Sequence, residues 1–307
     1  AWRAEQDMLA REFGAPPFSV LDARKGYWTS RKRDYWDKKY GLASERGRPD
    51  NLHGLKGVGG GGGTSIFCPV LTELMCRWFC PAGGSVIDPF AGGSVRGCVA
   101  ARLGLRYVGI DLSAEQVRAN REQAREVGDV ARRARTRWEQ PAWIVADARE
   151  LGALADAPRS ADFVLSCPPY YSLERYSTDA RDLSNASDYR TFVEAYRQII
   201  RETARRLATN RFAVFVVGEI RDERTVAMRN FVGDTISAWL DAGCVLYNHA
   251  VMLLPPHSLP MRARQGFEAS AKLGTCHQHV LVFYSGREPS REVRAIGLPP
   301  SRQFEWL

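Results

Sequence analysis

From residue 64 to residue 286 short apolar runs alternate with longer stretches whose apolar residues recur every three or four positions. The runs SVIDPF (85–90), RYVGIDL (106–112), WIVADA (143–148), ADFVLS (161–166), RFAVFVVGEI (211–220), CVLYNHAVMLL (244–254) and QHVLVFYSG (278–286) predict strands. Short, β-branched, near-continuous apolar segments suit a sheet covered on both faces. Helical spacing covers 69–79, 94–103, 114–127, about 187–208 and about 229–241. Strands separated by helices of this length need right-handed crossovers, which makes the fold α/β with a doubly wound, mostly parallel sheet. The last two runs have no helical spacing between them and are expected to form an antiparallel pair at one edge.

Residues 1–63 read differently, as a basic and aromatic arm closed by the flexible glycine run GVGGGGG (57–63). The compact domain is expected over 64–290, with a tail over 291–307. The arm segment GYWTSRKRDYWDKKYG (26–41) interleaves Tyr27, Trp28, Tyr35 and Trp36 with Arg31, Lys32, Arg33, Lys38 and Lys39. Cations that neutralise phosphates beside rings that stack on bases suit a nucleic-acid contact. The competing reading is an arm whose rings pack on the main domain while its charges face water. The net charge of +8 and pI near 9.2 favour a polyanionic partner without naming one.

Seven cysteines are scattered without a second pair to answer Cys76 and Cys80, so no metal site is expected and the thiols read as buried and reduced. With no apolar run of membrane-span length and no signal peptide opening the chain, a cytoplasmic protein is expected.

The chemistry gathers at strand ends. DPFAGGSVRG (88–97) follows the first strand and opens a helix, so its glycines let backbone approach a ligand at the carboxyl edge of the sheet. Asp111 ends the next strand where a ribose-binding carboxylate belongs, and Asp147 ends the third. DFVLSCPPYYSLERYS (162–177) closes the fourth strand with two prolines, which stop the ladder and stiffen the backbone.

DPFAGG, GIDLS, ADA and CPPY, in that order, resemble the DNA methyltransferases that use S-adenosylmethionine (SAM) to modify cytosine N4 or adenine N6. The resemblance covers about residues 64–286 and implies the Rossmann-like fold of SAM-dependent methyltransferases. PPFSVLDARKGYW (16–28) and LGTCHQHVLVFYSG (273–286) look further like a phage and actinobacterial subgroup often fused to a ParB-like domain. The resemblance implies SAM as cofactor, double-stranded DNA as partner and, where phage-encoded, the host cytoplasm as location. It implies that Asp88, Phe90, Ala91, Gly92 and Gly93 border the methionine moiety, Asp111 the ribose and Asp147 the adenine. Phe67 and Thr64 are weaker cofactor candidates on the preceding segment, and Ser94 stands where the family usually has glycine.

A base must leave the duplex to be methylated and then needs a stacking surface and hydrogen bonds to its edge. Tyr170 offers the ring, and the Pro168 carbonyl, stiffened by Pro169, offers an acceptor for an exocyclic amino group. The family places aspartate, asparagine or serine before the prolines; here Cys167 stands there. As a serine substitute it points to cytosine N4. As a thiolate nucleophile it points instead to cytosine carbon 5, with Glu219 in VVGEIRD as the acid near ring N3. Resemblance favours amino methylation and residue chemistry favours carbon 5, while N6-adenine methylation, RNA methylation and an inactive SAM- and DNA-binding module are further alternatives. The segment 255–278 between the last two strands carries Arg262, Arg264, Lys272, His257 and His277 and is expected to be a DNA-contacting loop. A second polar segment, 171–189, is expected to close over the flipped base.

Overall fold

A computed structural model of the chain describes Phe13, Ala15, Arg46 and residues 17–42, 66–173, 175–222, 224–256 and 259–293. The strands are β1 (Val20–Asp22), β2 (Ser85–Asp88), β3 (Arg106–Asp111), β4 (Ala142–Val145), β5 (Ala161–Ser166), β6 (Leu207–Val217), β7 (Val245–Leu253) and β8 (His277–Tyr284). They form one sheet in the order β1-β7-β8-β6-β5-β2-β3-β4. Neighbours pair in parallel except around β8, which runs antiparallel to both β6 and β7. The fold is thus the doubly wound, mostly parallel α/β sheet that the spacing predicts. The β7–β8 pair is antiparallel as expected, but β1 takes the edge beyond β7, so the arm contributes a strand to the sheet.

The helices are α1 (Gly26–Ser30), α2 (Lys38–Tyr40), α3 (Pro69–Phe79), α4 (Val95–Arg102), α5 (Ala114–Arg133), α6 (Tyr189–Arg206), α7 (Phe231–Asp241), α8 (Leu259–Ser270) and α9 (Pro289–Glu292). Proline sets several boundaries. Pro89 cannot continue the ladder, so β2 stops at Asp88, while Pro69 opens α3 where its missing N–H costs nothing. The segment expected as a loop holds α8, because LPMRARQGFEAS is rich in helix formers although its apolar stripe is weak.

Strand alternation divides the core between the two sheet faces. Val86, Phe163, Val214 and Val282 pack on one side with Val70 and Leu74 of α3, Val99 of α4 and Val127 of α5. Ile87, Val164, Phe215 and Leu281 pack on the other with Phe192, Tyr196 and Ile199 of α6 and Trp239 of α7.

The arm seats on the first of these layers. Trp28, Trp36 and Tyr40 are buried. Arg31, the centre of the expected nucleic-acid segment, is also buried, with a two-pronged ion pair to Glu73 of α3 at 3.0 and 2.8 Å. Trp36 Nε1 donates to the same carboxylate at 2.9 Å, and Arg77 joins it at 3.1 Å. Glu73→Ala would leave the Arg31 guanidinium buried without its counter-charge. It is expected to cost about 3–5 kcal/mol in urea unfolding. Arg33→Ala, at an exposed pair with Asp34, is expected to leave the urea unfolding midpoint unchanged within error.

Candidate active site

The turn after β2 is held from beneath by Asp88, which is fully buried. One carboxylate oxygen accepts from Arg96 Nε at 2.5 Å and from the Tyr107 hydroxyl at 2.8 Å. The other accepts from the Ser166 hydroxyl at 2.5 Å and the Phe90 amide at 3.2 Å. Burial and the Asp88 charge push the Tyr107 phenol far above its ordinary range, so it stays a donor. Arg96 also donates to the Phe90 and Ala91 carbonyls at 2.7 and 2.9 Å, and its guanidinium lies 4.5 Å from the centre of the Phe67 ring. Asp88 and Phe67 therefore support the turn from behind, and Thr64 lies outside the described residues.

Above this support Gly92 takes a left-handed φ of 48°, and buried Gly93 leads into α4. Ser94 adopts ordinary right-handed backbone, and its hydroxyl donates to Gln123 Oε1 at 2.7 Å, so no glycine is required there. Gly109 on β3 lets the turn sit close: a Cβ there would lie 2.7 Å from the Ala91 Cβ.

Asp111, at the end of β3, accepts from the Gly92 amide at 2.9 Å and the Ser113 amide at 2.8 Å. Asp147 caps the short helix Ala148–Ala153, and both of its oxygens accept from the Arg149 guanidinium. That pairing raises the Arg149 pKa above its ordinary value.

Cys167, Pro168, Pro169 and Tyr170 leave the end of β5 beside this turn. Cys167 Sγ lies 3.7 Å from the Tyr170 hydroxyl, which accepts from Gln278 Nε2 at 3.2 Å and so ties the loop to β8. The Tyr170 ring stands edge-on to Phe231, with centroids 6.1 Å apart. Burial foremost, together with Cys167, raises the Tyr170 phenol well above its ordinary value, so it remains protonated at physiological pH. Tyr171 follows with a φ of 50°, an uncommon conformation for a bulky residue, packed against Tyr189 and Phe192. Glu219 lies beside the Tyr170 loop, since a Cβ on the adjacent Gly218 would meet the Tyr170 ring at 3.9 Å, but its oxygens accept from the Phe231 and Val232 amides at 3.0 and 3.3 Å, capping the start of α7.

One cavity joins the two halves of the rim. Phe90, Gly92, Asp111 and Asp147 line it together with Cys167 and Pro169. Gln116, Tyr176, Asp182 and Leu183 line it too, and none of these four was singled out from the sequence. The last three come from the polar segment after the prolines. That segment braces itself through Asp182, which accepts from Ser177 and Ser184. For Gln116 a sequence signal existed: Ser-x-x-Gln at 113–116 has the form of a capping box.

The expected DNA-contacting cations separate. Arg31 is buried against Glu73, Lys32 pairs with Asp37 at 3.0 Å and Arg33 with Asp34 at 2.8 Å. Arg264 lies on α8 with its side chain 83% exposed beside Glu268, and Lys272 is half-buried just beyond the helix. The Arg262 and His257 side chains lie outside the described residues. β7 runs parallel to β6, so α8 rises from the same rim as the cavity.

No protein-family model and no curated protein sequence matches the chain. Among solved structures it is similar to TrmN from Thermus thermophilus, with 17% identity and a TM-score of 0.44 over 71% of this chain and 48% of that one. The chain therefore spans about half of TrmN's length. It is similar also to a SAM-dependent methyltransferase from Methanosarcina mazei, with 15% identity and a TM-score of 0.44 over 67% and 93% of the two chains. A candidate DNA modification methylase, also from Thermus thermophilus, matches at 23% identity and a TM-score of 0.34, over 49% of this chain and 57% of that one.

Proposed function

We propose that the chain is a SAM-dependent methyltransferase that modifies the exocyclic N4 of a cytosine flipped out of DNA. The observation that carries this reading is the single cavity lined by the glycine turn and strand-end acids on one side and by Cys167 and Pro169 on the other. A group-transfer site needs its donor and acceptor in one space, and here the two motifs share it.

The acid end suits a nucleoside. Asp111 and Asp147 place carboxylates at its border, while Phe90, Ile110, Leu112 and Ile199 supply apolar wall. Asp111 would hold the ribose, the wall near Asp147 the adenine, and the turn Phe90–Gly93 the methionine portion. SAM, when bound, supplies the electrophilic methyl group.

The chain's own residues act on the base. The Tyr170 ring stacks on it and the Pro168 carbonyl accepts a hydrogen bond from one amino N–H, which holds the nitrogen in place, and the proton that the nitrogen loses on methylation passes to solvent. Cys167, close in shape to serine, sits beside the same amino group. Methylation at carbon 5 would need an acid near ring N3, and the Glu219 carboxylate is engaged at the start of α7. That occupation favours N4. DNA is preferred over RNA because the motif order resembles DNA methyltransferases and Arg264 presents a cation on α8 at the same rim.

Nucleoside chromatography with mass spectrometry on DNA from cells expressing the chain separates the outcomes. N4-methylcytosine is expected, with Cys167→Ser keeping transfer within about threefold and Cys167→Ala lowering it less than about tenfold, the scale of one lost hydrogen bond. 5-Methylcytosine, with Cys167→Ser inactive, would replace this reading by a covalent one. Methylated RNA with unmodified DNA would overturn the DNA assignment.

A further inference from the structure

Gln116 carries a feature that the protein's own packing leaves unexplained. It sits in the first turn of α5, where its amide N–H donates to the Ser113 hydroxyl at 3.1 Å. In a complete capping box its side chain would answer by bonding the Ser113 N–H. Here Asp111 already accepts that N–H at 2.8 Å, and the Gln116 side chain is released from the cap.

A directional chain of hydrogen bonds then sets its orientation. The Gly92 carbonyl accepts from Asn120 Nδ2 at 2.7 Å, which turns Asn120 Oδ1 toward Gln116. Gln116 Nε2 donates to that oxygen at 2.8 Å and to the Arg46 carbonyl at 2.7 Å. Both neighbours are acceptors, so a flipped amide would set oxygen against oxygen twice. Gln116 Oε1 is therefore a fixed acceptor. It has no hydrogen-bond partner among the described residues, the residue is only 3% exposed, and it lines the cavity beside Asp111. An unsatisfied buried oxygen is costly, and a ligand donor removes that cost.

We infer that Gln116 Oε1 accepts a hydrogen bond from a ribose hydroxyl of the bound cofactor, completing with Asp111 a two-residue ribose clamp. This rests on the proposed SAM reading. The ribose is the donor matched to this place because Gln116 is bonded through Asn120 to Gly92 and lines the same cavity as Asp111, the expected ribose acid. The same amide holds the Arg46 carbonyl, so the polypeptide before the domain is fastened to the wall of the cofactor cavity.

The test is calorimetric binding of S-adenosylhomocysteine and its 2′-deoxy and 3′-deoxy forms to the parent chain and to Gln116→Met. Binding of S-adenosylhomocysteine by the parent is the first readout, and its absence would remove the cofactor reading itself. With binding established, the variant is expected to lose about three- to tenfold in affinity for the full ligand. It should bind one deoxy form about as well as the parent does. An equal loss for all three ligands, or none, would overturn the clamp and leave the cofactor reading standing. Should the variant fail to fold, a crystal structure of the parent with S-adenosylhomocysteine decides. A ribose hydroxyl within about 3.2 Å of Gln116 Oε1 supports the inference, and one beyond about 4 Å overturns it.

Discussion

Asp88→Ala is expected to destabilise the chain by about 3–5 kcal/mol, because it leaves the Arg96 guanidinium buried without its partner charge. The carboxylate joins four groups from separate places: Arg96 on α4, Tyr107 on β3, Ser166 at the end of β5 and the Phe90 amide of the turn. Removing it strands the Tyr107 and Ser166 hydroxyls as well, each in a site with little access to water. Urea unfolding measures the loss directly. Asp88→Asn keeps the shape and one acceptor oxygen, so its loss should be smaller. Since Asp88 lies under the turn, the weakened turn should also bind S-adenosylhomocysteine less tightly, in a protein still folded at low temperature. A loss below about 1 kcal/mol for the alanine variant would mean that the hub does not hold the turn.

Tyr170→Ala is expected to lower kcat/KM for DNA about 100-fold, while Tyr170→Phe stays within about threefold. The first figure follows from base–aromatic stacking, about 1–3 kcal/mol per base, with the loop's packing on Phe231 lost besides. Phenylalanine keeps the ring and that packing, losing only the hydroxyl's contacts with Gln278 and Cys167. Cofactor binding should change little in either variant, because Tyr170 does not line the cavity wall shared by Asp111 and Asp147. Steady-state kinetics on a defined duplex, paired with calorimetry of S-adenosylhomocysteine, separates the two effects. Equal losses for alanine and phenylalanine would move the role from the ring to the hydroxyl.

Much of the site was legible because its signals are local. A glycine turn after a strand, an acid at the end of the next strand and a double proline after a third are each read within a few residues. The topology then brings them to one edge. Glu219 was legible as a strand-end acid, but whether its oxygens face a ligand or a helix start depends on where α7 begins, and α7 begins on it. Gln116 shows the same limit from the other side. Its Ser-x-x-Gln pattern predicts a cap, and only the competing Asp111–Ser113 bond frees the side chain for the cavity.

The arm and α8 show how composition misleads when burial is unknown. Arg31 stands among aromatic and basic residues in a pattern that suits nucleic acid, yet Glu73, 42 positions on, takes its charge into the interior. The weak apolar stripe of 259–270 reads as loop, because a helix packed on little needs little periodicity; Met261 and Phe267 are 62% and 57% exposed.

By itself the sequence determined the alternation of strands and helices, hence the doubly wound sheet and the edge where the motifs meet. Those follow from hydrophobic period and the handedness of crossovers, which act along the chain. Only the tertiary structure decided which charges are buried in pairs, which strand closes the sheet beyond β7, and which polar residues line the cavity. Hydrogen bonds between residues distant in sequence are competitive. The partner that wins is set by packing that no short stretch of chain contains.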